Sequence, residues 1–316
     1  MHYASYTKRL VGLLVVGLFT AAASQAQSFL TNGLVAFYPF SGNANDASGN
    51  GNNGTVYNLV AANGNAGASN SALFFNGTDG YAIVSNNAAL NPQNITLSIW
   101  VNTASLNTPM LLFSKHEAHL DSDGSWYLAL SDTGYLYFEV SGTTVYSTGH
   151  LDVGQWTHCV FRYNSTNQNW SYYLNGVLDS GGTNNLAIQA TDWPLRIGTE
   201  LQFDGETLDY FLDGALDNLR IYNRALSSTE VAQLYAHESV PPSSLIGFEY
   251  ASGAVLPTFS NLTTGINYQL QISPTLTGNF TNYGSPFIAT NSSMVYAQYF
   301  AVSHGGQSYF RVTTSP

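Results

Sequence analysis

Residues 34–56 read LVAFYPFSGNANDASGNGNNGTV and join a predicted strand to a loop of unusual composition. The apolar run at residues 34–40 predicts a β-strand. The loop that follows is almost entirely Asn, Gly, Ser and Ala, with one carboxylate, Asp46. Such a loop buries little apolar surface, and its glycines raise the entropic cost of ordering it. We therefore expect a group outside the loop to hold it in place.

Calcium is one candidate for this group. Carboxylate, amide carbonyl and backbone carbonyl oxygens are the ligands that this hard cation takes, and the loop offers all three kinds. An ordinary surface loop made of turn-forming residues explains the composition equally well. The residues alone leave both interpretations open.

The overall composition is typical of a β-rich extracellular protein with polar, uncharged outer faces. Only 9% of the 316 residues are charged, and the net charge is −11. Nucleic acids and anionic membranes recruit proteins through basic patches, whereas this chain has only eight Lys and Arg residues. We expect neither of these as a partner.

The first 26 residues have the pattern of a signal peptide. Lys8 and Arg9 form a charged region, residues 10–23 are apolar, and Ser24-Gln25-Ala26 ends in small residues that a signal peptidase reads. The apolar run is shorter than the ~20 residues that a membrane span needs, and no second run of that length follows. We expect a secreted protein, extracellular or periplasmic, with no membrane insertion.

Beyond the signal peptide, short alternating apolar runs follow one another at the spacing of an all-β sandwich. Ile95, Leu97, Ile99 and Val101 alternate with other residues and predict a half-buried strand whose odd positions point inward. Asn175-Gly176 is a strong hairpin signal. The single cysteine, Cys159, excludes an internal disulfide.

One helix is well marked. Ser227 and Glu230 form a capping box, and Leu226 is placed to contact Val231 as a hydrophobic staple. Residues 238–244 then contain Pro241-Pro242 and predict a linker. Residues 245–316 return to short strands split by Gly, Asn and Pro, so we expect a separate small β-rich module there.

Several segments resemble the LamG-like jellyroll domain, of the Laminin G type in the concanavalin A-like lectin/glucanase superfamily. The resemblance covers residues 33–237 and implies an all-β jellyroll sandwich of two curved antiparallel sheets, with the first and last strands adjacent in one sheet and one short C-terminal helix. The matching segments, in order, are LVAFYPFSGNANDASGNGNNGTV, ALFFNGTDGYAIV, ITLSIWVN, YYLNGVL, LRIG and FLDGALDNLRIYNRALSSTEVAQLY.

This resemblance also implies a structural calcium ion where the first-strand loop meets the closing strand. The matching positions are Asn43 and Asp46 in the loop and Asp217 in DGALDNLRIYNR. At Ser41 and at Asn218 the family often has Asp, so this chain offers weaker oxygen ligands there.

The superfamily also includes glucanases, which need two carboxylates roughly 5 to 9 Å apart across a cleft. The nearest match is Glu200, Asp204 and Glu206 in TELQFDGE, whose even spacing would place all three on one face of a strand. Gln202 and the turn signal Asp204-Gly205 interrupt that pattern. We therefore expect no catalytic residues and no enzyme activity.

The aromatic residues are the remaining functional signal. Tyr and Trp on a sheet face or a rim loop stack against sugar rings, while Asn, Gln and Asp bond the hydroxyls. The candidate ligand-binding aromatics are Trp126, Tyr135, Tyr137, Tyr146, Trp170 and Trp193.

These observations predict a secreted, non-enzymatic binding protein whose larger domain recognises carbohydrate or another extracellular ligand. A structural or adhesive module that binds protein or the cell envelope is the alternative from a different class. A glucanase-like glycoside hydrolase is the third.

Overall fold

The computed structural model describes ten parts of the chain. They are residues 28–116, 126–202, 206–239, 244–251, 254–260, 262, 264–273, 281–291, 294–295 and 309–314. The predicted signal peptide, residues 1–26, lies outside the described residues.

The jellyroll region contains the strands β1 to β17 and one α-helix, α1. Their bounds are β1 Leu34–Tyr38, β2 Gly54–Tyr57, β3 Val60–Ala62, β4 Ala72–Asn76, β5 Tyr81–Val84, β6 Ile95–Thr103, β7 Met110–Lys115, β8 Trp126–Leu130, β9 Tyr135–Val140, β10 Thr143–His150, β11 Thr157–Asn164, β12 Asn169–Leu174, β13 Val177–Thr183, β14 Leu195–Ile197, β15 Glu200–Leu201, β16 Leu208–Asp209, β17 Asp213–Tyr222 and α1 Ser228–Glu238.

Two antiparallel sheets form the sandwich. The eight-stranded sheet has the order β13-β12-β11-β6-β17-β4-β3, with β1 also paired to β17. The seven-stranded sheet has the order β10-β9-β8-β7-β14-β5-β2. Leu34 of β1 lies opposite Tyr222 of β17, and Tyr38 lies opposite Leu219. The predicted jellyroll fold, with its first and closing strands adjacent, is therefore confirmed.

The hydrophobic core lies between the two sheets and shows the predicted alternation in β6. Ile95, Leu97, Ile99 and Val101 all belong to this core. The prediction that β6 is only half-buried is wrong, because Thr96, Ser98 and Trp100 on the opposite face are buried as well. The outer face of β6 is covered by the segment that includes α1.

The predicted turns and caps form as expected. Asn175 and Gly176 have φ values of 49° and 76°, the left-handed conformation that a tight two-residue hairpin needs. Ser227 caps α1, with its side chain accepting from the Glu230 N–H and the Glu230 carboxylate accepting from the Ser227 N–H.

The helix α1 packs on the outside of the eight-stranded sheet. Val231 and Leu234 of the helix join Val160, Tyr173 and Tyr222 in a second hydrophobic cluster. This cluster buries apolar side chains that would otherwise face water on the outer side of β11, β12 and β17. It also leaves part of that sheet uncovered beside the start of the helix.

The described residues from position 244 onward form seven further strands. They are β18 Ser244–Ala251, β19 Ala254–Ser260, β20 Asn267–Ser273, β21 Thr281–Asn282, β22 Phe287–Ile288, β23 Met294–Val295 and β24 Tyr309–Thr314. The described pairings join these strands to one another, and Phe259, Tyr268 and Leu270 lie in a third hydrophobic cluster. The division into a linker at residues 238–244 and a module at residues 245–316 stays a prediction.

Across the described ranges, no helix combines the length and the apolar character required to cross a membrane.

Candidate functional site

The outer face of the seven-stranded sheet carries a row of tyrosines. In β9, Leu136 and Phe138 point into the core, so Tyr135, Tyr137 and Glu139 point to the opposite face. In β8 the buried core residues alternate in the same way with Tyr127. Strand alternation therefore gathers polar aromatic side chains on one surface of the sandwich.

Cross-strand register brings three of these rings into contact. Tyr137 lies opposite Tyr146 of β10, and their ring centroids are 5.7 Å apart. Tyr127 meets Tyr137 edge to face, with a centroid separation of 5.9 Å and an interplanar angle of 86°. We call Tyr127, Tyr137 and Tyr146 the tyrosine cluster. Tyr146 is 55% exposed and forms its outer end.

Glu139 anchors the inner end of the tyrosine cluster. It lies opposite Tyr127 in the β8–β9 register and accepts a hydrogen bond from the Tyr127 hydroxyl. It also accepts from the Thr144 hydroxyl at 2.9 Å. Burial is the largest cause that raises the pKa of Tyr127 well above its ordinary value. The hydrogen bond to the Glu139 carboxylate raises it further. The tyrosine hydroxyl is therefore neutral and serves as a hydrogen-bond donor.

A second carboxylate, Glu200, approaches from the hairpin of β15 and β16. The Ser114 hydroxyl on the outer face of β7 donates to the Thr199 carbonyl at 3.0 Å and fixes the base of this hairpin. Glu200 is buried, its Oε2 lies 3.4 Å from His116 Nδ1, and its Oε1 accepts from Gln202 Nε2 at 3.2 Å. The His116 ring contacts Tyr127 edge to face at 5.2 Å.

Glu200 acts electrostatically on the tyrosine cluster. Burial is the largest cause that raises the pKa of Tyr137, and the charges of Glu200 and Glu139 raise it further. Both carboxylates therefore lie close enough to the cluster for their fields to reach it. The face combines partly exposed aromatic rings, hydroxyl donors and carboxylate acceptors within one patch.

Two of the six predicted aromatic ligands lie in this cluster, Tyr137 and Tyr146. Tyr135 lies on the same strand face at its margin, is 37% exposed, and contacts His150 edge to face. The prediction for Trp126 is wrong. This side chain is 1% exposed and stacks on Phe138 inside the core, because the alternation of β8 turns it inward.

The structure does not bring Trp170 and Trp193 to the tyrosine cluster. Trp170 lies on β12 of the other sheet and packs, half-buried, against the edge of the core. Trp193 lies in the segment before β14, and its carbonyl accepts from Lys115 Nζ at 2.7 Å.

Sequence reasoning missed Tyr127 and Glu139. The signal for Tyr127 was present, because it neighbours Trp126 in an alternating strand and one of the two had to face outward. Glu139 could be placed beside it only through the β8–β9 register.

The carboxylates Glu200, Asp204 and Glu206, which the sequence analysis considered and set aside as a catalytic set, do not share one strand in the described residues. Glu200 lies in the two-residue strand β15, opposite Asp209. Glu206 is exposed in the turn that follows, and Asp204 lies outside the described residues. Glu200 and Glu206 therefore do not lie on one strand, although their even spacing in the sequence allowed it.

The loop after β1 is held by its own carboxylate. Asp46 Oδ1 accepts from the N–H groups of Phe37 and Ser48 at 3.0 and 2.9 Å, and Oδ2 accepts from the Asn52 N–H at 2.9 Å. Burial opposes ionisation, but hydrogen bonds from Ser48, Phe37 and Asn52 lower the pKa of Asp46 below its ordinary value. The loop therefore has an internal organising group, contrary to our expectation that something outside it must hold it.

The other two predicted calcium ligands have partners of their own. Asn43 is exposed, and its Oδ1 accepts from the Asn45 N–H at 2.8 Å. Asp217 is buried and accepts from the Asn65 N–H at 3.0 Å. Burial raises the pKa of Asp217 to about 7, and the Glu238 charge adds to this rise.

These contacts do not assemble a ready-made calcium cage. Asp217 lines a cleft of about 380 Å³ with Ser41 and Asn218, the two positions where the sequence departs from the family pattern. Within the described ranges, no group of three acidic, His or Cys side chains is placed to hold a metal. Calcium at Asn43, Asp46 and Asp217 stays a prediction.

Comparison with known families agrees with the observed topology. Residues 76–232 match the family Laminin_G_3, described as the Concanavalin A-like lectin/glucanases superfamily. A comparison with curated proteins gives no match.

Solved structures with the same architecture include one from a bacterial enzyme. It is domain 4 of AbnA, a GH43 extracellular arabinanase from Geobacillus stearothermophilus, in complex with arabinotriose. The TM-score is 0.51 at 24% identity, over 64% of this chain and 98% of that domain.

Two toxin binding domains are similar as well. The binding domain of Paraclostridial Mosquitocidal Protein 1 gives a TM-score of 0.53 at 20% identity, over 74% of this chain and 65% of that structure. The binding domain of botulinum neurotoxin serotype D/C VPI 5993 gives 0.52 at 12% identity, over 76% and 58%. At these identities the likeness shows the shared fold alone.

Proposed function

We propose that the protein binds carbohydrate on its tyrosine cluster, on the premise that residues 76–232 match the Concanavalin A-like lectin/glucanases superfamily. The observation that carries the proposal is the contact of Tyr127, Tyr137 and Tyr146 beside the carboxylates of Glu139 and Glu200. One fold hosts many functions, so the proposal depends on this site.

The chemistry of the cluster matches what a sugar presents. The C–H face of a pyranose or furanose ring packs on an aromatic ring, and Tyr146 offers more than half of its surface for such a contact. Sugar hydroxyls donate to oxygen acceptors, and the partly exposed Glu139 carboxylate is one beside the rings. Glu200 is buried and acts on the cluster through its charge. Tyrosine hydroxyls that stay neutral donate in return.

The solved relatives are compatible with this proposal at the level of the fold. The AbnA domain is in complex with arabinotriose, and the two toxin structures are binding domains. We do not transfer their ligands, because the identities are below 25%. The proposed ligand is an oligosaccharide presented outside the cell.

We further propose that the protein is exported through its first 26 residues and acts without catalysis. The described part of the jellyroll presents Glu139 and Glu200 in hydrogen bonds to Thr144 and Gln202, roles that position acceptors for a ligand. The adhesive alternative, recognition of a protein or the cell envelope, uses the same surface without a sugar.

A glycan array of the purified secreted chain tests the binding proposal. We expect a restricted set of oligosaccharides to bind, and Tyr137→Ala with Tyr146→Ala to abolish that signal. Val177→Ala, an exposed apolar truncation on the other sheet, is the matched control and should leave binding unchanged. If no glycan binds while envelope preparations treated to remove their glycans do, the adhesive alternative replaces the proposal.

Glycoside hydrolysis is the remaining alternative to test, because that reaction uses two carboxylates and Glu139 and Glu200 both act on the tyrosine cluster. Release of reducing ends from β-glucans or arabinans by the wild type, lost in Glu139→Gln or Glu200→Gln, would establish an enzyme. We expect no release from either the wild type or the variants.

A further inference from the structure

A second surface lies on the other sheet, beside the start of α1. Two adjoining clefts of about 240 and 520 Å³ open there, and Arg162 and Asn169 line both of them. We call this surface the Arg162 groove. It lies across β11, β12 and β13 of the eight-stranded sheet, whereas the tyrosine cluster lies on the seven-stranded sheet. The two sheets meet where Ser180 of β13 donates to the Tyr146 carbonyl of β10 at 3.3 Å.

Strand register gives the groove its floor. Arg162 lies opposite Ser171, and Ser171 lies opposite Gly181 on the next strand. A side chain at Gly181 would place its Cβ 2.9 Å from the Trp170 carbonyl oxygen, so glycine keeps the floor open above Ser171. Trp170, one of the predicted aromatic ligands, lines the same cleft.

The next row of the same face is made of amides and hydroxyls. Asn164 lies opposite Asn169, and Asn169 lies opposite Thr183. The Thr183 hydroxyl donates to Asn169 Oδ1 at 3.0 Å, which fixes the amide and turns its N–H donors away from Thr183. Asn169 and Thr183 are both exposed.

Arg162 is a cation held in place without a carboxylate partner in the described ranges. Its Nη1 donates to the Leu226 carbonyl, and its Cζ lies 5.2 Å from the centroid of the Tyr173 ring. These two contacts orient the planar guanidinium of a residue that is only partly exposed. A fixed guanidinium is preorganised for a bidentate contact with a carboxylate.

The carboxylates at the rim are engaged elsewhere. Glu230 forms two hydrogen bonds with Arg224, at 2.9 and 3.0 Å. Asp179 accepts from the N–H groups of Thr148 and Gly149, at 2.8 and 2.7 Å. Arg162 is therefore available to an external anion even though the whole chain carries a net charge of −11.

We propose that the Arg162 groove binds an acidic saccharide, with the carboxylate of a uronic acid unit on Arg162 and sugar hydroxyls on Asn169 and Ser171. An acidic peptide fits less well. Seven of the sixteen lining residues carry a hydroxyl or an amide, the groups that bond sugar hydroxyls. The backbone of β12 is paired on both sides, so it does not take up an added peptide strand.

Isothermal titration of the secreted chain with trigalacturonic acid tests this proposal. The methyl-esterified trimer is the matched neutral ligand and should bind at least about tenfold more weakly, because it cannot form the charged bidentate contact. Raising the salt concentration should weaken the acidic trimer more than the ester. The double variant of Tyr137 and Tyr146 should retain this binding, which separates the two proposed sites.

Arg162→Gln removes the charge and leaves a shorter, neutral side chain that can still form hydrogen bonds. We expect the affinity of this variant for the acidic trimer to fall by about tenfold or more. Arg162→Lys should lose part of the affinity. If Arg162→Gln lowers the melting temperature, Asn169→Ala at an exposed position serves instead, with a smaller loss expected.

Three results would overturn the inference. They are no heat of binding with millimolar trigalacturonic acid, equal affinity for the acid and its ester, and wild-type affinity in a folded Arg162→Gln variant. An acidic peptide of the same charge that competes equally well would show charge attraction without saccharide recognition, and would overturn it too.

Discussion

Replacing Asp46 with alanine removes one acceptor from three backbone N–H groups, those of Phe37, Ser48 and Asn52. Hydrogen bonds to a charged acceptor contribute about 1.5–3 kcal/mol each. All three N–H groups are only partly buried, so water can compensate part of each lost hydrogen bond. We therefore assign a loss of about 1 kcal/mol to each bond. The expected loss of stability is therefore roughly 3 kcal/mol.

For a domain of this size, each kcal/mol corresponds to about 2–4 °C in melting temperature. Asp46→Ala should then melt roughly 6–12 °C below the wild type when unfolding is followed by circular dichroism. Asp152→Ala removes a carboxylate that is 76% exposed, and it should leave the melting temperature unchanged. The comparison isolates the hydrogen bonds of the loop from a change in net charge.

The pH dependence of this effect has a definite sign. The folded pKa of Asp46 is lowered, so its contribution is present above the unfolded value of 3.8 and is lost as the pH falls below it. The difference between the wild type and Asp46→Ala should accordingly narrow in acid.

Melting temperatures measured with calcium and with chelator distinguish the two explanations of how the loop is ordered. If hydrogen bonds alone order it, the wild type melts at the same temperature in both, and the predicted calcium site is wrong. A drop of several degrees with chelator, absent in Asp46→Ala and Asp217→Ala, would support the ion. An Asp46→Ala variant that melts within a degree of the wild type would refute the reasoning about the carboxylate.

Three further outcomes follow from other parts of the chain. Trp126→Ala should cost about 3–5 kcal/mol in chemical denaturation, because the ring fills the core, and a change as small as that of exposed Val177→Ala would contradict its burial. The raised pKa of Asp217 means that stability is lost as the pH rises from about 4 to 7. Asp217→Asn should therefore flatten the dependence of the melting temperature on pH across that window. An unchanged pH dependence would count against the raised pKa. Limited proteolysis should cut between residues 238 and 246 and leave a resistant jellyroll, whereas a chain that resists cleavage there speaks against two modules.

Much of the fold was predictable because it depends on local chemistry. The alternation of Ile95, Leu97 and Ile99, the turn at Asn175-Gly176 and the Ser227 cap each depend on neighbours within a few residues. The causes are the pleat of the strand, the left-handed backbone of the turn and the side-chain cap of the helix. All three can be inferred from the local sequence.

The candidate site was less predictable because it depends on pairing between distant residues. Alternation shows that Trp126 and Tyr127 face opposite ways, but only the position of the second sheet decides which ring is buried. Tyr127 meets Glu139 through strand register, and Glu200 reaches the cluster through a hairpin whose base is fixed at Ser114. The carboxylate of Asp46 was visible in the sequence, whereas its three backbone donors were not.

The central claim is tested most directly by one affinity measurement. The strongest glycan from the array is titrated into the wild type and into Tyr146→Ala, whose ring is 55% exposed and makes a small contribution to folding. Loss of a stacking contact worth about 1.4 kcal/mol weakens binding tenfold. We expect at least that loss, with the melting temperature unchanged. Wild-type affinity in a folded Tyr146→Ala variant would place the sugar elsewhere and contradict the account.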